Sequence, residues 1–157
     1  MRDSSKGFMF NPNLKKEHRH CAICGKILSS NERSNAAPFI GECCNACNSD
    51  FVIPTRLAML TDAALLFRAS SSHSMQHLKK IEIVKDSSKL ELSDIKALLN
   101  AQSIDIIRLT YDYVVCVNAN ASESKSSINK AWSKFELSKF CRPLHGNVLL
   151  IRKEFIL

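Results

Sequence analysis

The 157-residue chain predicts an α+β protein of two small units, a cysteine-bound N-terminal lobe and a C-terminal strand-and-helix domain. Three observations carry this expectation. Two Cys-x2-Cys pairs, Cys21 with Cys24 and Cys44 with Cys47, fall within the first third. The apolar pattern changes period near Lys79, from helical spacing to alternation. Hydrophobic residues make up 45% of the chain, with only four glycines and four prolines, enough for a packed core and too apolar for a disordered chain.

Each Cys-x2-Cys pair can present two thiolates to one ion from a tight turn, and Gly25 supplies the positive φ such a turn uses. Two pairs separated by nineteen residues complete a tetrahedral set, so Cys21, Cys24, Cys44 and Cys47 are expected to hold one zinc ion. A reduced thiol cluster and an iron site are the alternatives. A closed four-sulfur site leaves no position for water, which makes the expected role structural. Cys43 beside Cys44, and His18 and His20 before Cys21, are substitute ligands of lower rank. The odd total of seven cysteines argues against a disulfide scaffold.

Between the pairs, Ser29 to Asn35 reads as a polar turn and Pro38-Phe39-Ile40-Gly41 as a short hairpin. A knuckle, a hairpin and a second knuckle opening a helix resemble the treble-clef class of zinc finger over Cys21 to about Asp50. That class serves DNA, RNA and protein binding as well as nucleases, so the resemblance implies metal without implying activity. A nuclease of the His-Asn-His type would place a histidine on the hairpin, and residues 25–43 contain none. The stretch GECCNACNSDFVIPTRLAML, residues 41–60, also resembles short zinc-finger proteins of bacteriophages and mobile elements. That resemblance implies an accessory protein, with a host enzyme or defence complex as a candidate partner.

Ile53-Pro54 is expected to force an extended step, because the residue before proline avoids the helical region. Thr55 to Ala69 then predicts a helix whose Leu57, Leu60, Ala64 and Phe67 form one apolar stripe bridging the two units. Residues 71–78 read as a serine-rich linker. His73 and His77 within it would share a metal only if that stretch were helical.

The second unit spans residues 79–157. Lys80 to Val84 alternates as a strand, and Ser93 is expected to cap a short helix bearing Ile95, Leu98 and Leu99. Ile104–Tyr111 and Tyr113–Ala119 predict a hairpin turning at Asp112. Ser127 is expected to cap a second helix with Ile128, Trp132 and Phe135 on one face, and Asn147–Ile156 completes the set as a strand. Strand, helix, strand, strand, helix, strand is the split-βαβ, or ferredoxin-like, plan. RNA-recognition modules share it, but Val114-Val115-Cys116-Val117 lacks their stacking aromatics.

Net charge is +7, and residues 1–35 carry seven basic side chains against three acidic ones. Such a surface attracts polyanions, so Lys15, Lys16, Arg19, Lys26, Arg33 and Arg56 are the expected contacts for nucleic acid. A rigid platform for a host protein is the other expectation. Cys116 lies in an apolar run, Cys141 is separated from His145 by Pro143, and four scattered glycines form no phosphate loop, so no catalytic set is expected. Met1 is followed by charged and polar residues, with no apolar run of spanning length, so a cytoplasmic protein without membrane attachment is expected.

Overall fold

The computed structural model describes residues 18–69, 81–123 and 126–156. Lys15, Lys16, His73, His77 and the expected linker at 71–78 lie outside the described residues.

The cysteine lobe comes first. A two-residue strand, β1 (Ser34–Asn35), pairs antiparallel with β2 (Glu42–Cys43). A helical run follows, as α1 (Asn45–Cys47), a five-residue π-helical segment Asn48–Val52, and α2 (Ile53–Met59). The extended step expected at Ile53-Pro54 does not occur, since Ile53 is helical at φ −63° and ψ −49°. The wider turn explains it. Ile53 N–H reaches back to Asn48 O, and Pro54, which has no N–H, occupies the first turn of α2 where none is needed.

The helix expected over Thr55–Ala69 ends at Met59, and the chain re-enters the fold as β3 (Ala64–Phe67). Helical spacing suggested one stripe, yet Leu57 and Leu60 are 57% and 77% exposed while all four residues of β3 are buried. A short unbroken apolar run is the pattern of a strand covered on both faces. Leu65 and Phe67 face one hydrophobic cluster, and Ala64 and Leu66 face another.

The remaining elements are β4 (Ile81–Val84), α3 (Leu92–Leu99), β5 (Ile104–Arg108), β6 (Tyr113–Asn118), α4 (Lys130–Ser133) and β7 (Val148–Arg152). Their order along the chain follows the expectation, but two caps move. Glu91, in a capping box with Asp94, starts α3 in place of Ser93. Asn129, whose side chain accepts from Trp132 N–H, starts α4 in place of Ser127, so Ile128 lies outside the helix and is exposed.

The five larger strands make one antiparallel sheet in the order β4-β3-β7-β6-β5. This corrects the split-βαβ plan, in which the first strand pairs with the third. Here β4 is an edge strand beside β3, and β7 lies between β3 and β6. The unforeseen β3 pairs with both β4 and β7, and β7 pairs directly with β6, where the plan would seat the first strand.

On one face of the sheet α3 packs Ile95 and Leu99 over Val114, Cys116, Leu149 and Ile151. On the other, α4 and the cysteine lobe cover Leu65, Phe67, Val115, Val148 and Leu150. Cys21, Ile23, Phe39, Cys43 and Val52 of the lobe belong to that same buried cluster, so lobe and sheet share one core.

Candidate metal centre

The first cysteine pair sits in a tight turn. Cys21 N–H donates to Lys26 O at 2.7 Å, Gly25 N–H donates to Cys21 O at 2.9 Å, and Gly25 has φ +77°. A β-bridge between His20 and Ile27 closes the turn. The second pair opens the helical run, with Asn48 N–H donating to Cys44 O at 2.9 Å and Cys47 inside α1.

Three contacts bring the pairs together. Ala22 N–H donates to Glu42 O at 2.8 Å, and Cys44 N–H donates to Cys21 Sγ at 3.4 Å. Gly41, at φ +114°, allows the third: a Cβ there would lie 3.1 Å from Ala22 Cβ. Gly41 thus meets two demands, a left-handed backbone and a close approach.

The Sγ atoms of Cys21, Cys24, Cys44 and Cys47 all lie within 4.8 Å of one another, an arrangement that can hold a metal ion. Sulfurs bound tetrahedrally at a Zn–S distance of about 2.3 Å stand about 3.8 Å apart. Cys24 Sγ and Cys44 Sγ are 3.9 Å apart, and the cysteines are free thiols. Cys21, Cys44 and Cys47 are buried and Cys24 is exposed. The four expected ligands are therefore brought together. Cys43, though adjacent, is not among them and is fully buried in the shared core. His18 and His20 are also outside the group, and His20 Nδ1 lies 3.1 Å from Gly25 O.

The electrostatics are uneven. Burial raises the Cys21 thiol, but backbone amides of Cys24, Cys44 and Ile23 outweigh it and bring the pKa down to about 7. Burial, then the neighbouring thiols, pushes Cys47 strongly upward. Burial raises Cys24 as well. Four sulfurs this close cannot all carry charge without a cation among them, so binding a divalent ion and losing thiol protons are one event.

The four described basic candidates gather on this lobe, each with an intramolecular partner. Arg33 Nη2 pairs with Glu42 Oε1 at 2.8 Å and Arg19 Nη1 pairs with the same oxygen at 3.4 Å. Lys26 Nζ lies 3.1 Å from Glu32 Oε2. Arg56 donates to Ala37 O at 2.6 Å and to Asn35 O at 2.8 Å, clamping the hairpin loop to α2. Glu42, which pairs with both Arg19 and Arg33, is not among the residues expected from the sequence. The signal for Glu42 was a lone acid two residues before the second cysteine pair.

Among the described residues the other thiols contact no histidine or acid. Cys116 is fully buried, and its thiol is pushed up to about 12 by burial. Cys141 Sγ donates to Ser138 O at 3.7 Å, while His145 Nδ1 contacts Ser126 O at 2.7 Å. Among the described residues no helix is long and apolar enough to cross a membrane. No family model, curated protein or solved structure matches this chain.

Proposed function

We propose that this chain is a non-enzymatic zinc protein of treble-clef type in which Cys21, Cys24, Cys44 and Cys47 hold one structural ion. The observation that carries the reading is the approach of four thiol sulfurs to within 4.8 Å of one another. Thiolate is a soft ligand that selects zinc, copper(I) or iron–sulfur clusters, and four of them in a compact mononuclear set suit zinc. When bound, the ion supplies folding energy and no chemistry, since four sulfurs close its coordination shell. Native mass spectrometry of the intact chain tests this. A mass increment of one zinc supports the reading, and a metal-free folded species rejects it.

The partner we infer is nucleic acid, approached through the basic lobe. Net charge of +7 supports it. The ion pairs of Arg19, Lys26 and Arg33 are solvent-exposed and weak, so a polyanion at low salt can exchange with them. The same pairs support a second reading, a protein-binding inhibitor or adaptor, because they leave these groups already satisfied. Filter binding to duplex and single-stranded DNA and RNA across salt separates the two. Affinity that falls steeply with salt supports nucleic acid, whereas none at low salt leaves the protein partner. The resemblance of residues 41–60 to phage and mobile-element proteins supplies the setting, the cytoplasm of a host cell with its enzymes or defence complexes as protein partners.

A further inference from the structure

We propose that Cys24 is the point at which peroxide enters the cysteine cluster, and that oxidation joins it to Cys44 and releases the ion. The inference rests on the zinc reading above. Cys24 is the exposed member of the group, while Cys21, Cys44 and Cys47 are buried, so a small oxidant in solvent meets Cys24 first.

The second sulfur is in place. Cys24 Sγ and Cys44 Sγ are 3.9 Å apart, a gap that disulfide formation closes to about 2.05 Å. The chemistry balances with hydrogen peroxide as oxidant. The Cys24 thiolate attacks one peroxide oxygen, the O–O bond breaks, hydroxide leaves, and a sulfenic acid forms. The Cys44 thiolate then attacks the Cys24 sulfur, the S–O bond breaks, and a second hydroxide leaves. Two thiolates lose two electrons and one peroxide gains them.

Two of the four ligands are consumed, one from each cysteine pair. The new bond joins the first turn to the start of the helical run, and the remaining Cys21 and Cys47 no longer close a tetrahedron. The device thus converts an oxidant signal into loss of the ion that holds the lobe.

The test uses the full chain, purified under reducing conditions, with its zinc content measured before any oxidant is added. Stoichiometric hydrogen peroxide is then applied while a metallochromic dye reads free zinc and non-reducing peptide mapping reads the cross-link. The expected result is loss of the bound zinc, a protein mass lower by about 2 Da, a Cys24–Cys44 peptide, and recovery with dithiothreitol and zinc. Cys141→Ser, remote from the cluster in sequence, should release zinc as the parent does. A disulfide that omits Cys24, one that joins it to a cysteine other than Cys44, or zinc retained while Cys141 oxidises would overturn the proposal. A preparation without zinc before oxidant fails the underlying zinc reading instead, and the initial metal measurement tells the two failures apart.

Discussion

Phe39 and Phe135 meet edge to face with ring centroids 5.5 Å apart, and a β-bridge joins their backbones. Phe39 comes from the loop between the two cysteine pairs, and Phe135 packs in turn against Phe67 of β3 and Trp132 of α4. Flanking hydrogen bonds, Ile40 N–H to Lys134 O at 2.9 Å and Glu136 N–H to Pro38 O at 2.7 Å, fasten the loop there. Stability of the cysteine lobe and of the sheet is therefore coupled through one buried aromatic group.

Phe39→Ala is expected to cost about 3–5 kcal/mol, the range for removing a fully buried aromatic ring. Urea unfolding followed by tryptophan fluorescence measures it. Trp132 lies in the sheet-facing core, so a loss reported by this probe shows that the defect in the loop reaches the sheet. In a double-mutant cycle with Phe135→Leu, a coupling of about 0.5–1.5 kcal/mol is expected.

Arg56→Lys is expected to destabilise nearly as much as Arg56→Ala. The guanidinium serves two carbonyls, Ala37 O and Asn35 O, with a fork that an ammonium on a flexible stem does not reproduce. A loss of about 0.5–1.5 kcal/mol by denaturant titration is predicted for either variant, since both hydrogen bonds are exposed. Glu42→Gln, by contrast, disturbs exposed ion pairs and should change stability by about 1 kcal/mol or less.

Asn129→Ala removes the N-cap of α4 and also both donors to Phe67 O and Gly146 O, at 2.9 and 2.8 Å. Cap loss alone costs about 0.5–2 kcal/mol, and stranding the buried Phe67 carbonyl adds about 1–3 kcal/mol. The variant should unfold at markedly lower temperature, while Ser127→Ala, which removes the side chain first expected to cap this helix, should stay within about 0.5 kcal/mol of the parent.

Cys116 gives the chain an alkaline limit. Burial holds its folded pKa at about 12, above the ordinary thiol value of 9.0, so the unfolded state loses the proton first. Its contribution is fully present below pH 9.0 and is lost as pH rises toward about 12. Unfolding free energy should therefore fall across that window. Cys116→Val, which retains an apolar side chain in β6, should flatten the fall, and chemical denaturation at stepped pH reads both.

The cysteine cluster was legible because thiolate chemistry imposes a spacing that periodicity does not blur, and all four expected cysteines converge. The C-terminal elements were legible in order for a similar reason, with Val114 to Val117 and Val148 to Ile151 too apolar and β-branched for loops. Ala64 to Phe67 was misread because its four residues continue the spacing of α2 and no glycine or proline marks the turn at Leu60–Ala63. The strand is revealed only by what covers it, Trp132 and Phe135 on one side and Ile95 with Leu99 of α3 on the other. Sheet order was hidden with it, since strand neighbours are set by tertiary packing. The basic residues were legible as charge, but their partners, above all Glu42 between Arg19 and Arg33, depend on the hairpin that brings positions 19, 33 and 42 together.

X-ray absorption at the zinc edge of the purified, reduced chain addresses the central claim most directly. Four sulfur scatterers at about 2.3 Å, with no nitrogen or oxygen in the coordination shell, are predicted. A mixed sulfur and nitrogen shell, fewer than four sulfurs, or folded protein with no zinc to absorb would contradict it.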